Sequence, residues 1–314
     1  VDPPYPTYTP EIDQSIIESG KLSEIQLEAI VYAGQAHQEK LPNNQRKGFM
    51  IGDGTGVGKG REIAGILMDN WNQGRQKAIW LSDKASLIND AKRDVEGIGW
   101  NPDLIFPLGK TKPDAAIGVK QGIVFTSYDT MKSGAMRKAP KEGEEEKARA
   151  RSRLDQLVEW LGEDFDGVIA FDESHNMGNA IQTQGDRGGK KPSAKALAGI
   201  ELQNRLPNAR VVYVSATGAT EVMNLAYAER LGFWGEETAF PTKQNFIAEI
   251  DSGGVAAMEL VARDMKAMGV YLSRSLAFDV PGNPTQTVSY DRMEHELTPQ
   301  QIDVYDRLAE GWQL

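Results

Sequence analysis

Residues 48–61 read Gly-Phe-Met-Ile-Gly-Asp-Gly-Thr-Gly-Val-Gly-Lys-Gly-Arg, and this stretch decides the fold. An apolar strand runs into a glycine-dense turn, then Lys59, then the apolar spacing of an amphipathic helix. Glycines let a backbone wrap closely around phosphate with its N–H groups turned inward, and the following helix adds its positive dipole end. This order predicts a phosphate-binding loop in which Lys59 reaches the β- and γ-phosphates; a glycine-rich surface turn is the plain alternative. The residues predicted to bind nucleotide are Asp53, Gly54, Thr55, Gly56, Val57, Gly58, Lys59, Gly60 and Arg61.

The loop departs from the usual pattern at Gly60. A phosphate loop ordinarily ends in Gly-Lys-Ser/Thr, and that hydroxyl ligates Mg²⁺. With glycine in its place, either a water completes the metal shell or hydrolysis is weak. The loop also begins with Asp53 rather than glycine, as it does in Swi/Snf-type motors. The dinucleotide motif G-x-G-x-x-G does not fit, because after Gly52 and Gly54 its third glycine falls on Val57.

A second motif is the acidic pair that follows the apolar run Val168–Phe171. At the carboxyl end of a strand in an open parallel sheet, such side chains face the ligand crevice. Asp172 is predicted to hold Mg²⁺ and Glu173 to position and activate the attacking water, which makes them candidate catalytic residues beside Lys59. Alone, such a pair is usually part of a solvated turn. It becomes evidence for a catalytic site only together with the upstream phosphate loop. His175 is either a loop histidine bonded to backbone or, as we favour, a coupling residue.

Two weaker signals flank these motifs. An apolar run over 210–214 ends in Ser215-Ala-Thr217, where two hydroxyls follow a buried-type strand. Gln26 precedes the loop in a segment with helical spacing and Ser23 as a plausible N-cap, and its amide can both donate to and accept from an adenine edge. Taken singly, a strand-ending hydroxyl and a surface-helix glutamine are the ordinary explanations.

Short apolar runs alternate with helical segments along much of the chain, as in a sheet that is mostly parallel with helices on both faces. The sequence therefore predicts an α/β fold with a phosphate loop, and the resemblance to helicase-type motors implies that it is a RecA-like P-loop NTPase domain. The predicted strands are Gly48–Ile51, Ala78–Ser82, Leu104–Leu108, Ile123–Ser127, Val168–Phe171 and Val211–Ser215. The predicted organisation is an arm over 1–20, an ATP-binding domain over 21–235 with a charged insertion at 138–153 and a flexible loop at 176–195, and a mainly helical extension over 236–314.

Composition sets the outer limits on function. The 314 residues are 40% hydrophobic, enough for a large core, and the net charge of −10 argues against a protein that coats nucleic acid over its whole surface. There are no cysteines, which removes disulfides and thiol catalysis and fits a cytoplasmic setting. No run is long and apolar enough to span a membrane. The chain begins with valine and stops within a helical pattern, so we expect a fragment of a longer protein.

The motifs stand in the order of superfamily 2 helicase motifs Q, I, II and III, and the finer pattern resembles the Strawberry notch family. Gly60 matches that family's unusual Gly-Lys-Gly-Arg. Ser82 and Lys84 lie where motif Ia falls, and Thr126 and Tyr128 lie in a strand-end motif like that of Swi/Snf-type motors. The segments that carry the family resemblance are 22–33, 52–65, 207–218, 230–235 and 254–274.

This resemblance implies a nucleic-acid-dependent ATPase that uses ATP and Mg²⁺, with DNA favoured over RNA. It gives Gln26 an adenine-reading role, and it gives His175, Ser215 and Thr217 the coupling of ATP state to nucleic acid. It further implies a second RecA-like motor domain in the parent chain, and in bacterial and phage relatives a fused methyltransferase or other defence-related domain. Tyr8 is a candidate adenine stack, with an ordinary arm residue as the equal alternative.

The family resemblance makes four residues candidate nucleic-acid contacts: Ser82, Lys84, Thr126 and Tyr128. Since the second domain normally supplies arginine fingers, the isolated domain is expected to be inactive or very slow. A degenerate, nucleotide-binding scaffold is the competing hypothesis. A P-loop kinase or transporter ATPase fits the Asp-Glu-x-His and Ser-Ala-Thr motifs less well.

Overall fold

The structure is a computed structural model that describes residues 2–133, 152–181, 191–216 and 225–274. All of these residues belong to one compact unit that ends at residue 275. Several predicted features lie outside the described residues: Thr217, positions 138–151 of the charged insertion, positions 182–190 of the polar loop, and the part of the extension beyond residue 274.

A seven-stranded parallel sheet forms the centre of the described chain. The strands run in the order β3-β4-β2-β5-β6-β1-β7, and each pairing is parallel. The six predicted strands are all present, and β7 is an edge strand that the sequence pattern did not reveal. The strands are β1 Phe49–Ile51, β2 Lys77–Ser82, β3 Ile105–Pro107, β4 Gly122–Ser127, β5 Val168–Asp172, β6 Arg210–Val214 and β7 Tyr271–Leu272.

Helices cover both faces of this sheet, as predicted. Side chains of β1 alternate: Phe49 and Ile51 join a core with α2, α3 and α4, whereas Met50 joins a core with α6, α7 and α8. Because both faces are buried, the strands are apolar throughout rather than alternating. The α-helices of the described ranges are α1 Gln14–Glu18, α2 Glu24–Ala36, α3 Lys59–Asn72, α4 Ile88–Gly97, α5 Tyr128–Met131, α6 Arg153–Leu161, α7 Ala194–Arg205 and α8 Lys243–Ala267.

The long helix α8 and the strand β7 follow residue 235, where the predicted domain boundary falls. Helix α8 bends at Gly254, whose φ of 57° is left-handed, so it is one kinked element. Its buried residues join the core on one face of the sheet, and β7 extends the sheet beside β1. Both elements therefore complete the domain that carries the phosphate loop. No helix in the described ranges is both long and apolar enough to cross a membrane.

The N-terminal arm is pinned along α2 and α3. The Tyr8 hydroxyl donates to Asp69 over 2.7 Å, and its ring lies against Gly34, where a Cβ would approach it to 2.1 Å. Asp69 is ten residues beyond Lys59 on α3, a rise of about 15 Å along the helix. The structure therefore places Tyr8 as an arm residue that anchors to α3, away from the loop where an adenine stack was considered.

Candidate nucleotide-binding site

The glycine-rich loop connects the end of β1 to the start of α3, as its sequence predicts. Gly56 and Gly58 have φ values of 92° and 91°, in the left-handed region that glycine adopts without strain. Gly58 is the N-cap of α3, and Thr55 is exposed in the middle of the loop. These two glycines turn the chain so that the N-terminus of α3 lies at the loop. The positive end of the helix dipole and the free N–H groups of the first turn are therefore at the loop.

Lys59, the first residue of α3, is held by the loop itself. Its Nζ donates to the carbonyl oxygens of Asp53 at 3.0 Å and Gly54 at 3.4 Å. An ammonium group kept within the loop is positioned to bind a phosphate, which forms stronger charge-assisted hydrogen bonds than a neutral carbonyl does. Arg61, by contrast, donates to the Lys21 carbonyl at 3.3 Å and so is turned toward the start of α2.

Gln26 lies directly against the loop. Its Nε2 donates to the Val57 carbonyl over 2.9 Å, and a Cβ at Gly58 would lie 2.5 Å from that nitrogen. The same side chain completes a capping box with Ser23, which confirms the predicted N-cap of α2. Both ends of the Gln26 amide are thus engaged, Nε2 with the loop and Oε1 with the N-cap of α2. Contact with a base, as the resemblance implies, remains a prediction.

Asp53 binds an arginine that follows β7, the strand next to β1, instead of facing the mouth of the loop. Its carboxylate is fully buried. It accepts from the backbone N–H of Arg274 at 2.8 Å and from that residue's guanidinium at 2.5 Å. The Arg274 carbonyl in turn accepts from Gly54 N–H at 2.9 Å. The sequence pattern did not reveal the role of Arg274; the only hint is its place at the end of a segment that carries the family resemblance.

Glu62 completes this cluster from the first turn of α3. It is fully buried, and one of its oxygens accepts from Arg274 at 3.0 Å. Burial, followed by the nearby charge of Asp53, raises the pKa of Glu62 to about 9 against the lowering effect of Arg274. The raised pKa favours the protonated form of Glu62, in which the guanidinium mainly neutralises Asp53.

The acidic pair lies at the carboxyl end of β5, at the same edge of the sheet as the loop. Strand β6 lies between β5 and β1, which puts Asp172 about 10 Å from the start of the loop at ordinary strand spacing. Its carboxylate accepts from Ser82 Oγ at 3.1 Å and from the N–H of Glu173 at 3.0 Å. Burial, with the neighbouring charge of Glu173, raises the pKa of Asp172 to about 6, and the Ser82 hydrogen bond opposes that rise.

Three of the four residues predicted to contact nucleic acid are buried. Ser82 is bonded to Asp172, Tyr128 donates its hydroxyl to the Asp172 carbonyl at 2.7 Å, and Thr126 is 2% exposed. In this structure Ser82 and Tyr128 support the acidic residue, and contact of the three buried side chains with nucleic acid stays a prediction. Lys84, just beyond β2, is exposed and stays a candidate contact.

The predicted coupling residues His175 and Ser215 are in contact. His175 Nδ1 lies 3.0 Å from Ser215 Oγ and 3.3 Å from a carboxylate oxygen of Glu173. Glu173 itself has a φ of 50°, an uncommon left-handed value for a residue with a side chain, at the point where a catalytic group was predicted. Ser215 N–H donates to the Ile51 carbonyl at 3.0 Å. A continuous path of contacts thus links the acidic pair through β6 to the strand that leads into the loop.

A glycine-rich loop with its lysine after one strand, and an acidic pair two strands away at the same sheet edge, define a P-loop NTPase. Residues 1–307 match the family described as P-loop containing NTP hydrolase pore-1, and the chain belongs to this family.

Known relatives confirm the resemblance to Strawberry notch proteins. The chain is 42% identical over 99% of its length to Protein strawberry notch homolog of Caenorhabditis elegans, and 42% to Protein strawberry notch homolog 1 of Homo sapiens, also over 99%. It is 39% identical to Protein FORGETTER 1 of Arabidopsis thaliana over the same share. The chain spans 16%, 21% and 23% of these relatives, respectively.

Solved structures confirm the fold class. The Sulfolobus solfataricus SWI2/SNF2 ATPase core in complex with dsDNA superposes with a TM-score of 0.51 at 12% identity, over 88% of this chain and 47% of that one. The same core domain described without DNA gives a TM-score of 0.51 at 13% identity, over 99% of this chain and 56% of that one.

Proposed function

We propose that this chain is the ATP-binding half of a nucleic-acid-dependent ATPase of the helicase or translocase type. The observation that carries the proposal is the juxtaposition of the Lys59 loop with the acidic pair Asp172 and Glu173 at one edge of a parallel sheet. A phosphate loop and an acidic pair at this spacing are the parts that hydrolysis of a nucleoside triphosphate needs.

Each group has a role that follows from its contacts. Lys59 and the loop N–H groups would bind the phosphates. Asp172, kept in place by Ser82, would hold Mg²⁺, which neutralises phosphate charge when bound. No group of three or more potential ligands that could hold a metal by itself occurs in the described ranges; this fits Mg²⁺, which takes one or two carboxylates together with phosphates and waters. Glu173 would orient the attacking water and accept its proton.

Nucleic acid is the proposed partner, with DNA favoured over RNA. The resemblance to Swi/Snf-type motors and the dsDNA complex of one fold neighbour support this, and Lys84 is the exposed candidate contact. The net charge of −10 requires any such surface to be local. The relatives are several times longer than this chain. We therefore propose that a second motor domain supplies the missing arginine fingers, with a methyltransferase-type domain as a further expectation from the resemblance.

The test is ATP hydrolysis by the full-length parent protein, with and without duplex DNA, beside a Lys59→Ala variant. We expect DNA-stimulated turnover that Lys59→Ala abolishes and Glu173→Gln lowers by about 10²–10⁴-fold while ATP still binds. Lys120→Ala is the matched control, because Lys120 is exposed just before β4, at the opposite edge of the sheet. Turnover that survives Lys59→Ala would contradict the proposal.

A catalytically weak nucleotide-binding scaffold is the second candidate, and Gly60 is the observation that favours it. Without a hydroxyl at that position, one usual Mg²⁺ ligand is missing. The same assay separates the two functions: nucleotide binding that depends on Lys59, with no turnover by the parent protein in the presence or absence of DNA, would support the scaffold.

A further inference from the structure

Gly60 lies in close contact with a carboxylate from the neighbouring helix. It is the second residue of α3, and a Cβ built on it would lie 1.9 Å from Oδ2 and 2.7 Å from Cγ of Asp94. Atoms cannot approach that closely, so no residue with a side chain fits here while Asp94 keeps its place. An Asp94 oxygen thus occupies the space where the side chain of a Ser or Thr would begin.

The packing of α4 explains why the carboxylate is there. Ala91 and Val95 are buried in the core shared with α3, and Asp94 lies three residues after the first and one before the second, on the flank of the same helical face. It is half-buried, and burial raises its pKa against the nearby charges of Arg93 and Arg61. Among the described residues, no hydrogen-bond donor engages its carboxylate. Half-burial without a hydrogen bond is unfavourable for a carboxylate, so a cation is the natural ligand for it.

We propose that Asp94 supplies the oxygen that Gly60 lacks, taking the place of the usual hydroxyl in the shell of the nucleotide-bound Mg²⁺. The inference rests on the proposed function and adds a residue to its site. Mg²⁺ in nucleotide sites is held by one or two carboxylates besides phosphates and waters, so Asp172 and Asp94 form a chemically suitable pair.

The exchange of a hydroxyl for a carboxylate has a consequence that can be measured. A carboxylate beside the phosphates repels them unless a divalent cation lies between, whereas a neutral hydroxyl does not. Nucleotide affinity should therefore depend strongly on Mg²⁺, and the negative charge of Asp94 should be responsible for part of that dependence. If Gly60 serves only to let α4 approach α3, a substitution that keeps the shape of Asp94 and removes its charge will leave the dependence unchanged.

The experiment measures the affinity of the full-length protein for a fluorescent, non-hydrolysable ATP analogue, once with saturating Mg²⁺ and once with EDTA. We expect Asp94→Asn to lower the Mg²⁺-bound affinity by about 10–100-fold, the range for loss of a metal-supporting group, and to leave or improve the affinity in EDTA. Asp90→Asn is the matched control, because Asp90 is on the same helix and pairs with Arg93 at the surface.

A swap of the two positions keeps the test decisive if Asp94→Asn disturbs packing. Asp94→Ala combined with Gly60→Ser moves the oxygen from α4 to the loop, and we expect it to recover Mg²⁺-dependent binding that Asp94→Ala alone loses. Equal Mg²⁺ dependence in Asp94→Asn, Asp90→Asn and the unaltered protein would overturn the inference and leave the proposed function standing. If nucleotide affinity changed neither with Mg²⁺ nor in Lys59→Ala, both this inference and the proposed function would be overturned.

Discussion

Replacement of Arg274 by methionine should destabilise the domain by about 3 kcal/mol. Breaking a buried ion pair costs about 3–5 kcal/mol when it leaves a charge uncompensated, and Asp53 is fully buried. The lower end applies for two reasons. The backbone N–H of residue 274 still donates to Asp53 at 2.8 Å. Burial and the charge of Asp53 raise the pKa of Glu62, which favours its neutral form, so Asp53 is the carboxylate that mainly loses its partner. The ion pair with Glu28, a residue 44% exposed at its side chain, adds less than about 1 kcal/mol.

The assay is urea unfolding followed by circular dichroism, with the midpoint compared at equal slope. In thermal unfolding, about 3 kcal/mol corresponds to a fall in Tm of about 6–12 °C for a domain of this size. Arg205→Met is the control, since Arg205 pairs with Asp155 at the surface and its loss should cost under about 1 kcal/mol. Adding Asp53→Asn to Arg274→Met should recover part of the loss, because no charge stays buried. Equal midpoints for the Arg274 and Arg205 variants would refute this reasoning.

Two further predictions concern pH. His37 is buried, with Nε2 3.0 Å from the Val211 carbonyl, and burial lowers its pKa from 6.5 to about 3; stability is therefore lost as pH falls from 6.5 toward 3, because the unfolded chain takes up the proton first. Between pH 7.5 and pH 5, the free energy of unfolding from urea titrations should fall by about 2 kcal/mol more in the unaltered protein than in His37→Gln. The same pH dependence in both proteins would contradict this prediction. Ser82→Ala removes the hydrogen bond that lowers the pKa of Asp172, so the acid limb of the kcat/KM profile of the parent protein, which reports the free enzyme, should move to higher pH. The exposed-residue variant Ser19→Ala should not move it.

The parts of the fold that sequence predicts are those set by local pattern. Apolar runs and the glycines at 56 and 58 specify strands and a loop by their own chemistry, and six strands appear where expected. Strand β7 has only two residues and forms because β1 offers an open edge, which no local pattern reveals. Side-chain direction at a strand end is likewise not local: Ser82 and Tyr128 lie at the predicted edge but turn inward to support Asp172.

Asp53 illustrates the same limit within the site. Its position in the loop was predictable, but its partner is 221 residues further along the chain. The resemblance gave His175 and Ser215 the same predicted coupling role, and the two side chains do meet at 3.0 Å. Their coupling role, like the adenine contact of Gln26, remains a prediction.

The distance in sequence between the loop and Arg274 also sets an order of events during synthesis. All the residues of the loop have been translated by residue 61, yet its anchor and the strand that covers the open edge of β1 arrive only with residues 271–274. Strand β1 first gains a sheet neighbour with β6 at residues 210–214, and its other edge stays uncovered until residues 271–272 are made. An uncovered edge strand readily pairs with other chains. Because chains fold from the N-terminus as they emerge, the addition of β7 would be a late step of folding, and it would at once cover that edge and bring Arg274 to Asp53 beside the phosphate loop.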